Sequence, residues 1–164
     1  MILGIDHIGL ASDDPAGVGV FMAALGMSKT DAGIADAYGV ACEFWQYPGQ
    51  PAVEIVSPVT EDSSVTGHLE RSGPGLYHLA LVVDDIDAEL RRLRGHGFVP
   101  VDARPCAGAK EGMEVAFMYS RRPAALLIEL VRYRGRPPGD TPDPGPEGTT
   151  GVRPEDDGFG APRG

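Results

Sequence analysis

The chain carries one structural unit twice, and this repeat narrows its possible folds more than any other feature. Ile5-Asp6-His7-Ile8-Gly9-Leu10-Ala11-Ser12-Asp13-Asp14 aligns with Leu76-Tyr77-His78-Leu79-Ala80-Leu81-Val82-Val83-Asp84-Asp85 at an offset of 71 residues. At the same offset Gly26 meets Gly97 and Met27 meets Phe98. The offset later becomes 75, where Ala52-Val53-Glu54-Ile55-Val56 meets Leu127-Ile128-Glu129-Leu130-Val131. Two copies of a unit of about 60 residues account for the body of the chain.

Each copy reads β-α-β-β-β, which predicts an α+β fold of two tandem βαβββ modules. The first strands (5–11 and 76–83) are apolar and end at Asp-Asp pairs suited to capping a helix. The helix is clear at 86–94, where Ile86, Leu90 and Leu93 share a face, and weaker at 15–25, which holds two glycines. Gly26 and Gly97 stand where a helix end favours a left-handed residue. Strand pairs follow at 40–47 with 52–56, and at 113–119 with 124–131. The first module runs from about 3 to 60, a linker with a short helix near 65–71 fills 61–74, and the second module covers about 75–133. Beyond it, residues 134–164 hold seven prolines and eight glycines, with Val152 and Phe159 as the only large apolar side chains. Such a segment buries too little surface to offset its ordering entropy, so a flexible, disordered tail is expected there.

Composition excludes several classes of function. Of 164 residues 42% are hydrophobic and 23% charged, enough for one ordinary domain with a core. The formal net charge of −10 repels phosphate backbones and anionic surfaces, so neither nucleic acid nor a membrane is an expected partner. No apolar run approaches the roughly 20 residues of a spanning helix, and Met1-Ile2-Leu3 begins no signal-peptide pattern. Cys42 and Cys106 make no disulfide scaffold and fit no zinc spacing. The expected setting is therefore cytoplasmic.

Strand parity singles out four polar residues, because residues i and i+2 share a face. His7 lies in a row with Ile5, Gly9 and Ala11, and His78 in a row with Leu76, Ala80 and Val82. Glu54 lies between Ala52 and Val56, and Glu129 between Leu127 and Val131. Gly9 and Ala80, two beyond the histidines, are small and leave room for another group. A carboxylate in an apolar row is costly unless it is paired or bound to metal. Taken singly, each residue is as ordinary as a hydrogen-bonded core histidine or an edge-strand glutamate. As a repeat-related set, His7, Glu54, His78 and Glu129 form a nitrogen and oxygen donor group that offsets the charge of one divalent cation.

These residues, with IDHIGLASDD at 5–14, VEIVSPVTEDSSV at 53–65, GLYHLALVVDDIDAELRRLRGHGF at 75–98 and LLIELV at 126–131, resemble the vicinal oxygen chelate superfamily, most closely its methylmalonyl-CoA epimerases. The resemblance implies a cupped mixed sheet around one metal site, with His7, Glu54, His78 and Glu129 as ligands and Co, Mn, Ni, Zn or Fe as the divalent ion. It implies an isomerase: the metal polarises a substrate carbonyl, and carboxylates remove and return the proton α to it. Glu129 and Glu54 are candidate catalytic bases, and so is Glu43. In an ungapped comparison Cys42 occupies the position of one epimerase catalytic glutamate, and a one-residue bulge would bring Glu43 there. The implied substrate is a small molecule of the acyl-CoA kind, and the implied assembly is a homodimer. Residues 1–75 hold two basic and ten acidic residues, so the cations able to grip an anionic tail (Arg91, Arg92, Arg94, Arg104, Lys110, Arg121, Arg122) all lie in the second module. The sequence departs from the epimerase pattern at Asp36-Ala37-Tyr38, at Tyr119-Ser120 and in the loop Cys106–Gly112. Two alternatives stay open: another metalloenzyme of the superfamily (a glyoxalase-type lyase, a dioxygenase or a natural-product tailoring enzyme), or a non-catalytic drug-binding protein. Dioxygenases of the superfamily use a His-His-Glu triad, so a fourth ligand at Glu54 favours the isomerase and lyase branch. Drug binders generally lack the ligands.

Overall fold

A computed structural model describes residues 1–135; the tail expected at 134–164 lies outside the described residues apart from Arg134 and Gly135. The first module contains β1 (Ile2–Ala11), α1 (Pro15–Ala24), β2 (Ser28–Ala35), β3 (Val40–Gln46) and β4 (Ala52–Pro58). Helix α2 (Thr66–Ser72) leads to the second, which contains β5 (Gly75–Val83), α3 (Ile86–Gly95), the short β6 (Val99–Pro100) and β7 (Cys106–Ala107), β8 (Met113–Ser120) and β9 (Leu126–Tyr133). The strands form one open mixed sheet in the order β2-β3-β4-β1-β5-β9-β8-β6, with β7 beside β8. Within each module the first strand runs parallel to the last, and β1 and β5 join the modules antiparallel.

Local chemistry explains the helix boundaries. The side chain of Asp14 accepts a hydrogen bond from the Gly17 amide at 3.0 Å, and that of Asp85 accepts one from Ala88 at 2.9 Å. The second aspartate of each pair is therefore the cap. Gly26 and Gly97 have φ of 82° and 88°, the left-handed turn that ends each helix. In α3, Ile86, Leu90 and Leu93 pack on Ala116, Met118, Ile128 and Leu130, the outward residues of β8 and β9. Each large aliphatic side chain buried there contributes about 1.5–3 kcal/mol. Helix α1 is glycine-rich for a packing reason: a Cβ on Gly19 would meet the Trp45 ring at 3.2 Å, so the helix lies against the indole.

Strand parity holds for the functional residues and fails for two neighbours. His7, Gly9 and Ala11 are buried, whereas Ile5 is 49% exposed rather than in their row. A register shift between Ile5 and His7 in the β1–β5 ladder turns the strand at that point. A second shift, between Gly9 and Leu10, leaves Leu76 at 76% exposure although His78 points inward. Among the described residues, no helix is long and apolar enough to cross a membrane.

Candidate metal centre

The β1–β5 pairing places His7 opposite Ala80 and Gly9 opposite His78. Each imidazole thus occupies the space left by the small residue of the other module. A Cβ on Gly9 would fall 2.2 to 2.7 Å from three His78 ring atoms, a separation no side chain tolerates. Glu54 comes to the same point from β4, in register with Gly9, and Glu129 from β9, in register with Ala80. All four side chains are buried: His7 is 0% exposed, Glu54 4%, His78 5% and Glu129 5%.

One atom from each converges. His7 Nε2 lies 3.1 Å from His78 Nε2, 2.9 Å from Glu129 Oε2 and 3.2 Å from Glu54 Oε2. His78 Nε2 lies 3.3 Å from Glu54 Oε2 and 3.2 Å from Glu129 Oε2. Ligands about 2.0–2.2 Å from a shared cation stand roughly 2.9–3.5 Å apart in octahedral or tetrahedral geometry. The observed separations have that size. Glu129 Oε2 has no hydrogen-bond partner although it is buried. A buried carboxylate oxygen without a hydrogen bond is rare, and a coordinated cation would supply its partner. The donor set and geometry fit a divalent cation, and these four residues form the one such group among the described residues.

Supporting contacts distinguish the two histidines. His7 Nδ1 lies 2.7 Å from Asp6 Oδ2, which also accepts from the Tyr133 hydroxyl at 3.0 Å. With the Nδ1 proton held by Asp6, Nε2 presents its lone pair to the centre. Tyr77 occupies the place of Asp6 in the second module, and His78 Nδ1 is buried without a partner. Comparison of the repeats hides Asp6, since only one copy carries it. Burial pushes the imidazole of His7 down, but Asp6, Glu129 and Glu54 together outweigh this and raise it well above its ordinary value. His78 is raised by Glu129 and Glu54 against the same effect of burial. Burial pushes Glu54 and Glu129 up, yet contacts with both histidines leave each lowered.

The centre lies at the edge of a largely apolar cavity of about 150 Å³. Phe117 and Val115 from β8, Val40 and Cys42 from β3, and Tyr77 form much of its wall. A contact between modules helps close it. The Tyr38 hydroxyl donates to Asp102 Oδ2 at 2.9 Å and accepts from Cys106 Sγ at 3.0 Å, while the Phe117 amide donates to the same Asp102 oxygen at 2.6 Å. Sequence reasoning missed this set because its members come from different modules.

Glu43 is not brought to the cluster. The β3–β4 register runs without a shift from Val40 to Trp45, so Cys42 and Phe44 point inward and Glu43 outward. It pairs with Lys29 at 2.8 Å and accepts from Trp45 Nε1 at 3.3 Å. The bulge that would have turned it inward is absent from this ladder. Of the second-module cations, Arg91, Arg92, Arg94, Arg104, Arg121 and Arg122 are exposed, and Arg92 pairs with Glu89 at 2.6 Å. Lys110 is half-buried and folds onto the first module, with Nζ 3.6 Å from the centre of the Phe44 ring.

Residues 6–117 match the family described as the glyoxalase/bleomycin resistance protein/dioxygenase superfamily. The chain is 30% identical over 132 residues to the uncharacterized protein YqjC of Bacillus subtilis (strain 168), covering 80% of this chain and 93% of that protein. It is 25% identical over 128 residues to the human mitochondrial methylmalonyl-CoA epimerase, covering 77% and 72%. Among solved structures, a methylmalonyl-CoA epimerase in complex with methylmalonyl-CoA and NH4+ superposes with a TM-score of 0.74 at 26% identity, over 82% of this chain and 97% of that one. The Mycobacterium tuberculosis methylmalonyl-CoA epimerase gives a TM-score of 0.70 at 30% identity, over 79% and 87%.

Proposed function

Because this chain belongs to the glyoxalase/bleomycin resistance protein/dioxygenase superfamily, we propose that it is a metal-dependent isomerase of the epimerase type, acting on an acyl thioester of the methylmalonyl-CoA kind. The observation that carries this reading is the convergence of His7, Glu54, His78 and Glu129 at the edge of an apolar cavity. The likeness to methylmalonyl-CoA epimerases supports the choice of substrate class. The four residues would hold a divalent cation (Co, Mn, Ni, Zn or Fe), with Asp6 fixing the orientation of His7. A cation bound there supplies Lewis acidity that makes the proton α to a carbonyl easier to remove.

The remaining chemistry belongs to the protein. Glu54 and Glu129 come from different modules, so they approach the centre from opposite sides of the pseudo-twofold relation. One of these carboxylates, on loosening from the cation, would take the α proton, and a base on the other face would return one, which inverts the carbon. The apolar wall of Val40, Val115 and Phe117 keeps water from the carbanionic carbon. Glu43 has no part in this scheme. A fourth ligand at Glu54 favours this branch over a three-ligand dioxygenase. We further propose a cytoplasmic homodimer that covers the exposed apolar side chains Ile2, Leu3, Ile5, Ile8 and Leu76 of the central strands.

The test is α-proton exchange. The protein, loaded separately with Co, Mn, Ni or Zn, is mixed with methylmalonyl-CoA in D₂O and followed by NMR beside His7→Ala and Glu129→Ala. Metal-dependent exchange that both substitutions abolish is the expected result. A protein that binds metal tightly and exchanges no proton refutes the epimerase reading.

A further inference from the structure

The two modules cap each other's phenylalanine, and they do so with different chemistry. Phe44 and Phe117 occupy matching places on β3 and β8, each in register with one of the glutamates of the cluster. The turn before β3 crosses to the second module and lays Tyr38 edge-on against Phe117, ring centres 5.2 Å apart. The loop before β8 crosses the other way and sets the Lys110 ammonium on Phe44. On one side the capping group is a neutral phenol already bonded to Asp102. On the other it is a cation.

That cation is built into place. The Gly108 amide donates to Met113 O at 2.9 Å, and the Met113 amide donates to Lys110 O at 3.1 Å, which fixes the loop on β8. Gly33 of β2 lets the loop rest against the first module, because a Cβ there would lie 1.9 Å from Ala109 O. Lys110 is half-buried, yet among the described residues its ammonium enters no hydrogen bond and no ion pair. Its charge acts on Asp6 and on Cys42, but Asp6 is already engaged by His7 and Tyr133. Phe44, on which the ammonium sits, also touches His7 edge-on at 5.5 Å, so one ring separates the charge from a residue of the cluster. An ammonium has three donors, and an aromatic face satisfies none of them as a carboxylate does.

We infer that Lys110 binds the carboxylate that a methylmalonyl-type substrate carries on the carbon that loses its proton, and so selects such substrates over acyl thioesters that lack it. This rests on the epimerase-type reading of the centre and assigns a residue to the carboxylate of its substrate. The asymmetry of the two caps orients such a molecule: its charged end lies toward Lys110 and its apolar part against Phe117 and Tyr38. Lys110 is a binding residue here and exchanges no proton.

Calorimetric titration of the full-length, cobalt-loaded protein tests this with three probes: oxalate, malonyl-CoA, and propionyl-CoA, which lacks the carboxylate. Lys110→Met is expected to weaken oxalate and malonyl-CoA by about tenfold or more, the loss of a hydrogen bond to a charged group. It leaves propionyl-CoA unchanged, and Lys110→Arg restores most of the lost affinity. Metal content, measured for each variant, stays at the wild-type level. Wild-type affinity of Lys110→Met for oxalate and malonyl-CoA overturns the inference. So does an equal loss for all three probes, or a loss of metal, either of which marks a packing role. If neither thioester binds while oxalate still depends on Lys110, the acyl-CoA reading falls and the assignment of Lys110 stands.

Discussion

Gly9→Ala should remove the metal centre while leaving the fold in place. A Cβ at this position falls 2.2 Å from Cε1, 2.3 Å from Nδ1 and 2.7 Å from Nε2 of His78. Carbon atoms rest at about 3.5–4.0 Å from their neighbours, so the ring must withdraw by roughly 1 Å or more. A ligand nitrogen works only within about 0.2 Å of its proper distance, and this displacement takes His78 out of the site. Outer-shell changes alone cost about 10–100-fold in metal affinity; loss of a ligand should reach at least the upper end, about 2.7 kcal/mol. The backbone itself tolerates alanine, because Gly9 is not among the glycines with positive φ. Gly4 provides the control within the same strand, since a Cβ there has nothing within 4 Å. Gly4→Ala should keep full metal affinity and gain about 0.4–1 kcal/mol in stability from the stiffer unfolded chain. Competition with a chromophoric chelator measures affinity, and circular dichroism follows folding. Wild-type affinity in Gly9→Ala would refute the claim that the two modules interleave their histidines with each other's small residues.

Asp6→Asn should weaken metal binding by about 10–100-fold without unfolding the protein, because it frees the tautomer of His7; the same chelator competition checks it. In the absence of metal, His7 and His78 are raised above 6.5, so their contribution is complete below that pH and is lost as pH climbs through the raised values. Glu54 and Glu129 are lowered below 4.5, so theirs is complete above that pH and is lost on acidification. Melts in EDTA should therefore be highest between about 4.5 and 6.5, and a monotonic rise to pH 9 would contradict the mutual pairing. Leu90→Ala, under α3, should cost about 2–5 kcal/mol in urea unfolding, since Leu90 is 4% exposed and packs on the outer face of the second module. Leu76→Glu should convert a dimer to monomers in light scattering, and a wild-type protein already monomeric at micromolar concentration would remove the proposed assembly.

What could be read directly from the residues was what depends on near neighbours in the chain. Asp14 and Asp85 cap, Gly26 and Gly97 turn, and Ile86, Leu90 and Leu93 recur at helical spacing; each involves contacts within a few residues. The repeat then multiplied the information, since a histidine in each first strand and a glutamate in each last strand implied one shared centre. Contacts across the modules were decided only by the tertiary structure. The register shifts that expose Ile5 and Leu76 arise in the ladder between β1 and β5, strands some 70 residues apart. Glu43 faces outward because the β3–β4 ladder runs unbroken, which no pattern along β3 could reveal. Asp6 beneath His7, Tyr38 against Phe117 and Lys110 on Phe44 lie where the two copies differ. The repeat predicts what the modules share. The features that give the site its orientation and charge come from where they diverge, and those become visible only when the chain brings distant residues to one point.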